Sequence, residues 1–170
     1  MEIPTKMRVA RWYAPERIQL DEVAVPRPGP GEVLVRIGAA LTCGTDFKTF
    51  KRGHPRLIKE VPGPFGHEMA GTVAAIGEGV ESFKNGDRVV VGNSAPCGKC
   101  FYCLRRSFSL CEDLQFLNGA YADFLLVPRR IVELNLHPIP ANLSFATAAL
   151  AEPLACVLHA FDKVAPKPGE

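Results

Sequence analysis

The sequence has no apolar run approaching the roughly 18 residues that a membrane span needs, and its opening, MEIPTKMRVARWY, holds no apolar stretch long enough for a signal peptide. No membrane partner is therefore expected, and a reducing cytoplasm is the expected compartment. Charge of one sign is also scarce: the formal net charge is +2, and no basic stripe offers a surface for nucleic acid. There is no internal repeat and no low-complexity segment. What remains is 170 residues, 47% hydrophobic and 22% charged, enough for one domain, or one domain with an appendage, around a real core.

Cysteine is present and concentrated. Four of the six cysteines fall in CGKCFYCLRRSFSLC, Cys97 to Cys111. In a reducing compartment such clusters hold metal more often than they form disulfides. Cys97, Cys100 and Cys103 are three apart and Cys111 follows eight later, so four thiolates complete a tetrahedral zinc shell with no open position, the mark of a structural site. Such a centre carries a formal charge of −2, which Lys99, Arg105 and Arg106 are placed in sequence to offset. A tetrathiolate iron site uses the same ligands, and incidentally clustered cysteines are the plainer alternative.

Short runs rich in Val, Ile and aromatics cover Arg8 to Tyr13, Ile18 to Val25, Glu32 to Ala40, Ala70 to Ile76, Asp87 to Val91, Tyr121 to Val127 and Ile131 to Leu134. Turn clusters such as PRPGPGE, GEGVESFKNGD and VPRR separate them, drawn from fifteen glycines and fifteen prolines. Many short strands with such punctuation predict a mainly β fold, a barrel or sandwich. After Pro140 the pattern becomes helical, with Asn142 or Ser144 as the N-cap, a short helix to about Ala151, and a second helix carrying Pro153 in its first turn. The chain stops at KPGE, a poor end for a globular fold, and a cut is expected there.

A second constellation is dispersed: Cys43 in TCGTD, His67 and Glu68 in PFGHEMAG, and Glu152 in LAEPL. Singly, each has an ordinary explanation as a core cysteine, a surface pair or a helix-start acid. Together they are the ligand types of a catalytic zinc that keeps its fourth position for water or substrate. Neighbours on a strand point to opposite faces, so His67 and Glu68 reach one ion only if the chain bends, which Gly66 permits. Glu68 and Glu152 are thus rivals for the third protein ligand.

With LTCGTD, GHEMAGTVAAIGEGVESFKNGDRV, the four-cysteine lobe, GAYADFLLVP and AEPLA in that order, the chain resembles the N-terminal, GroES-like catalytic domain of the zinc-dependent medium-chain alcohol and polyol dehydrogenases, the group of sorbitol and threonine dehydrogenases. The match runs nearly end to end. The resemblance implies a partly open GroES-like β-barrel over 1–140 with a structural-zinc lobe at 93–115, then a helical extension over 141–170. It implies Cys43 and His67 as catalytic zinc ligands, Glu68 as the acidic partner, and Glu152 as the carboxylate that replaces a cysteine of classical alcohol dehydrogenases. Thr45 matches the hydroxyl that relays the alcohol proton and Asp46 the acid that orients the histidine; their ordinary alternatives are a turn threonine and an N-cap aspartate.

The implied reaction is oxidation of an alcohol, polyol or amino alcohol with hydride transfer to NAD or NADP, on an enzyme holding two zinc ions per chain. Two departures stand out. Many relatives place a histidine five residues after the zinc cysteine, where this chain has Lys48, and the segment EDLQFLN is short. No glycine-rich strand-turn-helix for a nicotinamide cofactor follows. The expectation is a catalytic-domain portion of a longer, homo-oligomeric enzyme, itself monomeric, zinc-binding and inactive. A free-standing zinc module without catalysis is the alternative; a zinc-free quinone reductase lacks the cysteine lobe and the GHE ligands. Cys156 is expected in the core, and His54, His137 and His159 at the surface or in packing.

Overall fold

A computed structural model describes residues 2–167. Strands β1 (Lys6–Ala14) and β2 (Arg17–Ala24) form a hairpin, and β4 (Gly63–Pro64) extends it on the far side of β1. The main sheet is antiparallel and five-stranded, in the order β10 (Leu136–Pro138), β6 (Arg88–Val91), β5 (Glu68–Ile76), β3 (Val33–Leu41) and β9 (Phe124–Val127). A two-stranded ribbon, β7 (Ser94–Ala95) with β8 (Gln115–Phe116), forms the stem of the cysteine lobe.

The start of β3 is buried on both faces, with Val33, Leu34 and Val35 in succession, because it runs between β5 and β9. Val73, Val89, Val91 and Val127 complete that core; each such side chain contributes about 1.5–3 kcal/mol by leaving water. The two larger sheets meet where the Ala10 N–H donates to the Tyr121 carbonyl at 2.8 Å and the Ile37 N–H to that of Asp123 at 3.0 Å. They do not close, so the architecture is the partly open barrel that was expected.

One expected strand is a helix. Ile131 to Leu134 lies in α2 (Arg129–Asn135), opened by extended Pro128, whose carbonyl accepts from the N–H groups of Ile131 and Val132. Ile131, Val132 and Leu136 are buried while Glu133 and Leu134 are exposed, a spacing that fits a helix face and not the alternation of a strand. The Arg129 and Glu133 side chains pair across one turn at 2.6 Å.

The helical extension follows the sequence closely. Ser144 is the N-cap of α3 (Phe145–Ala149), accepting from the Thr147 N–H at 3.0 Å, and α4 (Ala151–Val164) holds Pro153 in its first turn. α3 packs on β3 and β5, with the Phe145 ring where a β-carbon on Gly38 would come within 2.4 Å. Arg88 donates to the carbonyls of Pro140, Ala141 and Leu143 and lies over the Phe145 ring at 4.6 Å. α4 is more exposed than expected. Cys156 is at the surface and not in the core, and Leu154, Val157, Leu158, Phe161 and Val164 are each more than half exposed. By length and composition Phe145–Val164 could cross a membrane, contrary to the expectation that no stretch would, although α3 is committed to the sheet.

Candidate metal centres

The cysteine lobe forms from tight turns. Its sulfurs lie within 4.8 Å of one another, with Cys97 and Cys103 3.9 Å apart and Cys100 and Cys111 4.0 Å apart. A tetrahedral zinc with Zn–S bonds of about 2.3 Å needs sulfur edges of about 3.8 Å, so the four fit one ion. Backbone N–H groups point at the sulfurs. The Cys97 N–H donates to Cys111 at 3.2 Å, and those of Glu112 and Cys103 hold the Cys100 thiol down to about 6. Burial pushes the Cys103 thiol up to about 12. Among the cations expected to offset the charge, Arg105 is stacked on the Phe101 ring at 3.6 Å. Arg130 on α2, not foreseen, bonds Asp113 at 2.8 Å and is raised first by that bond, with smaller contributions from Cys97 and Cys111.

The dispersed residues do converge. Cys43 ends the loop after β3 and is the N-cap of α1 (Gly44–Arg52). Its sulfur accepts from the Thr45 N–H at 3.2 Å, and its own N–H donates to Asp46 Oδ2 at 3.0 Å, a capping box that fixes the sulfur's direction. Asp46 Oδ1 takes the second bond, 3.0 Å from His67 Nδ1, so His67 Nε2 is turned toward Cys43 Sγ at 3.5 Å. Tetrahedral ligation by one sulfur and one imidazole nitrogen puts the two about 3.6 Å apart. Asp46 touches the group, and its two oxygens already bond the Cys43 N–H and the His67 ring, the arrangement of a carboxylate that orients a histidine.

His67 directly precedes β5, and Glu68 is its first residue. Gly66, with φ +89°, supplies the bend that lets both face the site. Glu68 and Glu152, at the start of α4, each bring a carboxylate oxygen within 4.8 Å of a His67 nitrogen and of each other. Glu68 is 2% exposed and its Oε1 has no hydrogen-bond partner, the condition of a group that needs a cation. The Asn93 amide donates to Glu152 Oε1 at 2.6 Å, a contact the sequence did not disclose.

Electrostatics follow the burial. Desolvation raises the Cys43 thiol and, with Glu68 close by, the Glu152 carboxyl. Desolvation is the largest single influence on Asp46 and His67 and opposes charge on both, yet their mutual bond and attraction, joined by the Cys43 N–H at Asp46 and by Glu152 and Glu68 at His67, together outweigh it, so Asp46 is lowered and His67 raised. Thr45 and Lys48 line one cleft with Arg52, Gly53, His54 and Pro55, a lining that includes none of Cys43, His67, Glu68 or Glu152. His54, half-buried, accepts from the N–H groups of Arg56 and Leu57 through Nδ1, while His137 and His159 are exposed.

Comparison with known proteins gives one consistent answer. Residues 29–141 match the alcohol dehydrogenase GroES-like domain family. The chain is 34% identical to a sorbitol dehydrogenase of Bacillus subtilis over 98% of its own length and 48% of the relative's, and 38% identical to an L-threonine 3-dehydrogenase of Pyrococcus furiosus over 80% and 39%. Among solved structures, a short chain alcohol dehydrogenase of Escherichia coli CFT073 in complex with NADH superposes with a TM-score of 0.84 at 29% identity, covering 96% of this chain and 47% of that one. The chain thus spans about half the length, or less, of the curated relatives it matches.

Proposed function

The chain belongs to the zinc-type medium-chain alcohol dehydrogenase family through its GroES-like domain, and on that premise we propose that it is the catalytic half of an NAD(P)-linked dehydrogenase of alcohols, polyols or amino alcohols. The observation that carries the reading is that two groups share His67: Cys43 and Asp46 on one side and Glu68 and Glu152 on the other. A structural module needs only the four-cysteine group, which is complete without these residues.

Both donor sets fit zinc, one closed and one open. A bound zinc supplies Lewis-acid polarisation of a substrate oxygen, and a nicotinamide supplies the hydride acceptor. The chain's own residues do the rest. Cys43, His67 and one or both glutamates hold the ion, and Asp46 keeps the His67 ring turned to it. Thr45 takes the hydroxyl proton of the alcohol, and Lys48, in the same cleft, hands it to solvent. Domain limits of 1–140 and 141–170 suit this reading, with the extension delivering Glu152.

The described residues hold no doubly wound nucleotide fold, so the proposal assigns nicotinamide binding and self-association to the part of the relatives that this chain does not span. The 170 residues alone bind zinc without turning over, in the cytoplasm, with a small alcohol or polyol as the partner of the whole enzyme. Metal analysis of the purified chain tests this. Two zinc ions per chain are expected, and one ion, retained when Cys43 is replaced by serine, would overturn the second site.

A further inference from the structure

We propose that Asn93 is a positioning residue for Glu152, fixing which way that carboxylate faces; the inference rests on the reading of Glu152 as a metal donor. The sequence-level view left two glutamates competing for one ion, and the structure shows that their surroundings differ. Glu68 is fully enclosed, with one oxygen that meets no donor. Glu152 is only half-buried, enters on the first turn of a helix with few contacts of its own, and has its Oε1 held by Asn93 Nδ2 at 2.6 Å. A carboxylate accepts and never donates when ionised, so the amide nitrogen, not its oxygen, faces Glu152.

Asn93 is itself unusually well anchored. It follows β6 and precedes β7, and its carbonyl accepts from the Leu117 N–H at 2.8 Å. Asn135 grips the backbone on either side of it, taking the Gly92 N–H at 2.8 Å and donating to the Ser94 carbonyl at 2.9 Å. An amide on a well-anchored stretch of backbone therefore reaches out from the root of the cysteine lobe to a carboxylate on a loosely packed helix. The neutral amide restrains rotation of the carboxylate and adds no charge to a site that already gathers Cys43, Glu68 and Glu152. Asn93 and Glu152 also line a cavity of about 450 Å³ under α4, together with Ala155, Cys156 and His159. Without the amide, Glu152 is free to swing into that space, away from His67.

The test measures binding of Co²⁺ or Zn²⁺ to the second site of the 170-residue chain, by titration and by the visible absorption of the cobalt form, in Asn93→Ala, Asn93→Asp, Glu152→Ala and the Asn93→Ala/Glu152→Ala double variant. Asn93→Asp keeps the side-chain volume and replaces the donor with a further anion. The expected result is a loss of second-site affinity of about 10- to 100-fold in Asn93→Ala, a larger loss in Asn93→Asp, and a changed cobalt spectrum. The double variant should bind no more weakly than Glu152→Ala, since Asn93 acts only through Glu152. An unchanged cooperative thermal melt reports that each variant is folded, and retention of the first equivalent shows that the lobe is intact. Wild-type chain that takes only one equivalent overturns the proposed function and this inference with it. Two equivalents in the wild type, with Asn93→Ala unchanged or with full additivity in the double variant, overturn the role of Asn93 alone.

Discussion

The Tyr121 ring lies against Gly66, where a β-carbon would come within 2.7 Å of it, and the Tyr121 hydroxyl lies 2.8 Å from the Leu41 carbonyl and 2.7 Å from Thr42 Oγ1. One side chain thus clamps the two segments that deliver Cys43 and His67. Replacing Gly66 with alanine combines an unfavourable positive φ with this clash and should destabilise the chain by roughly 1–3 kcal/mol. Thermal melting reads the first effect. Loss of second-site metal, with the lobe still loaded, reads displacement of His67.

Asp46→Asn leaves the shape of the capping box almost unchanged but presents an amide where two donors, the Cys43 N–H and the His67 ring, each expect a carboxylate oxygen. Second-site zinc affinity should fall by about 10- to 100-fold. An unchanged affinity, measured by competition with a chelating dye, would mean that His67 is oriented by other contacts.

Much of this was legible in the sequence, for reasons that differ from place to place. The strands of the main sheet and the Ser144 cap are local patterns, and the lobe is a spacing of cysteines. Ile131 to Leu134 misled because a four-residue run with three β-branched or aliphatic members, Ile131, Val132 and Leu134, suits either a strand or one helical turn; the extended Pro128 and the burial of adjacent residues decide it. Cys156 looked like core because α4 is apolar, but no described element covers that face. The Asn93 to Glu152 bond joins residues 59 apart, and no local signal marks such a contact.

Metal binding at the second site should strengthen as pH rises. Burial lifts the Cys43 thiol, and the bond to Asp46 lifts His67, so both ligands hold protons at higher pH than usual and must release them to the ion. Titrations in buffers of different ionisation enthalpy should reveal proton release on zinc binding, decreasing toward alkaline pH. Affinity independent of pH between about 6 and 8 would contradict this assignment of ligands.

Asp123 ties β1 to the approach to β9, accepting from the Arg8 backbone N–H at 2.8 Å and from its guanidinium at 2.9 Å. These bonds hold its carboxyl below the usual range. A lowered folded value contributes stability that is complete above the unfolded value of about 3.9 and is lost as pH falls through the folded one. Asp123→Asn should therefore lower the melting temperature slightly near neutral pH, and the difference should vanish in acid. The pair is exposed, so the effect is small.

Chelation of the lobe metal should open the segment from Cys97 to Cys111 while the five-stranded sheet persists, because the ties between lobe and sheet, the β7 and β8 stem and the Arg130 to Asp113 bond, lie at the root of the lobe and outside that segment. Limited proteolysis with and without a strong chelator should show new cleavage confined to the lobe. Cleavage spread over β3 and β5 would show that the lobe supports the whole fold.

The extension carries a consequence for the order of assembly. The lobe's four ligands lie within fifteen positions, so a nascent chain can gather them as soon as that stretch is made, at the entropic cost of a short loop. The other donor set begins at Cys43 and ends at Glu152, more than a hundred residues later, and its final member arrives on α4, directly after the α3 helix that docks through Phe145 on Gly38. Until that docking occurs, Cys43, His67 and Glu68 form an incomplete nest. On the proposed reading, the two metals would be acquired at different moments in the life of the chain, the structural one early and the chemical one last.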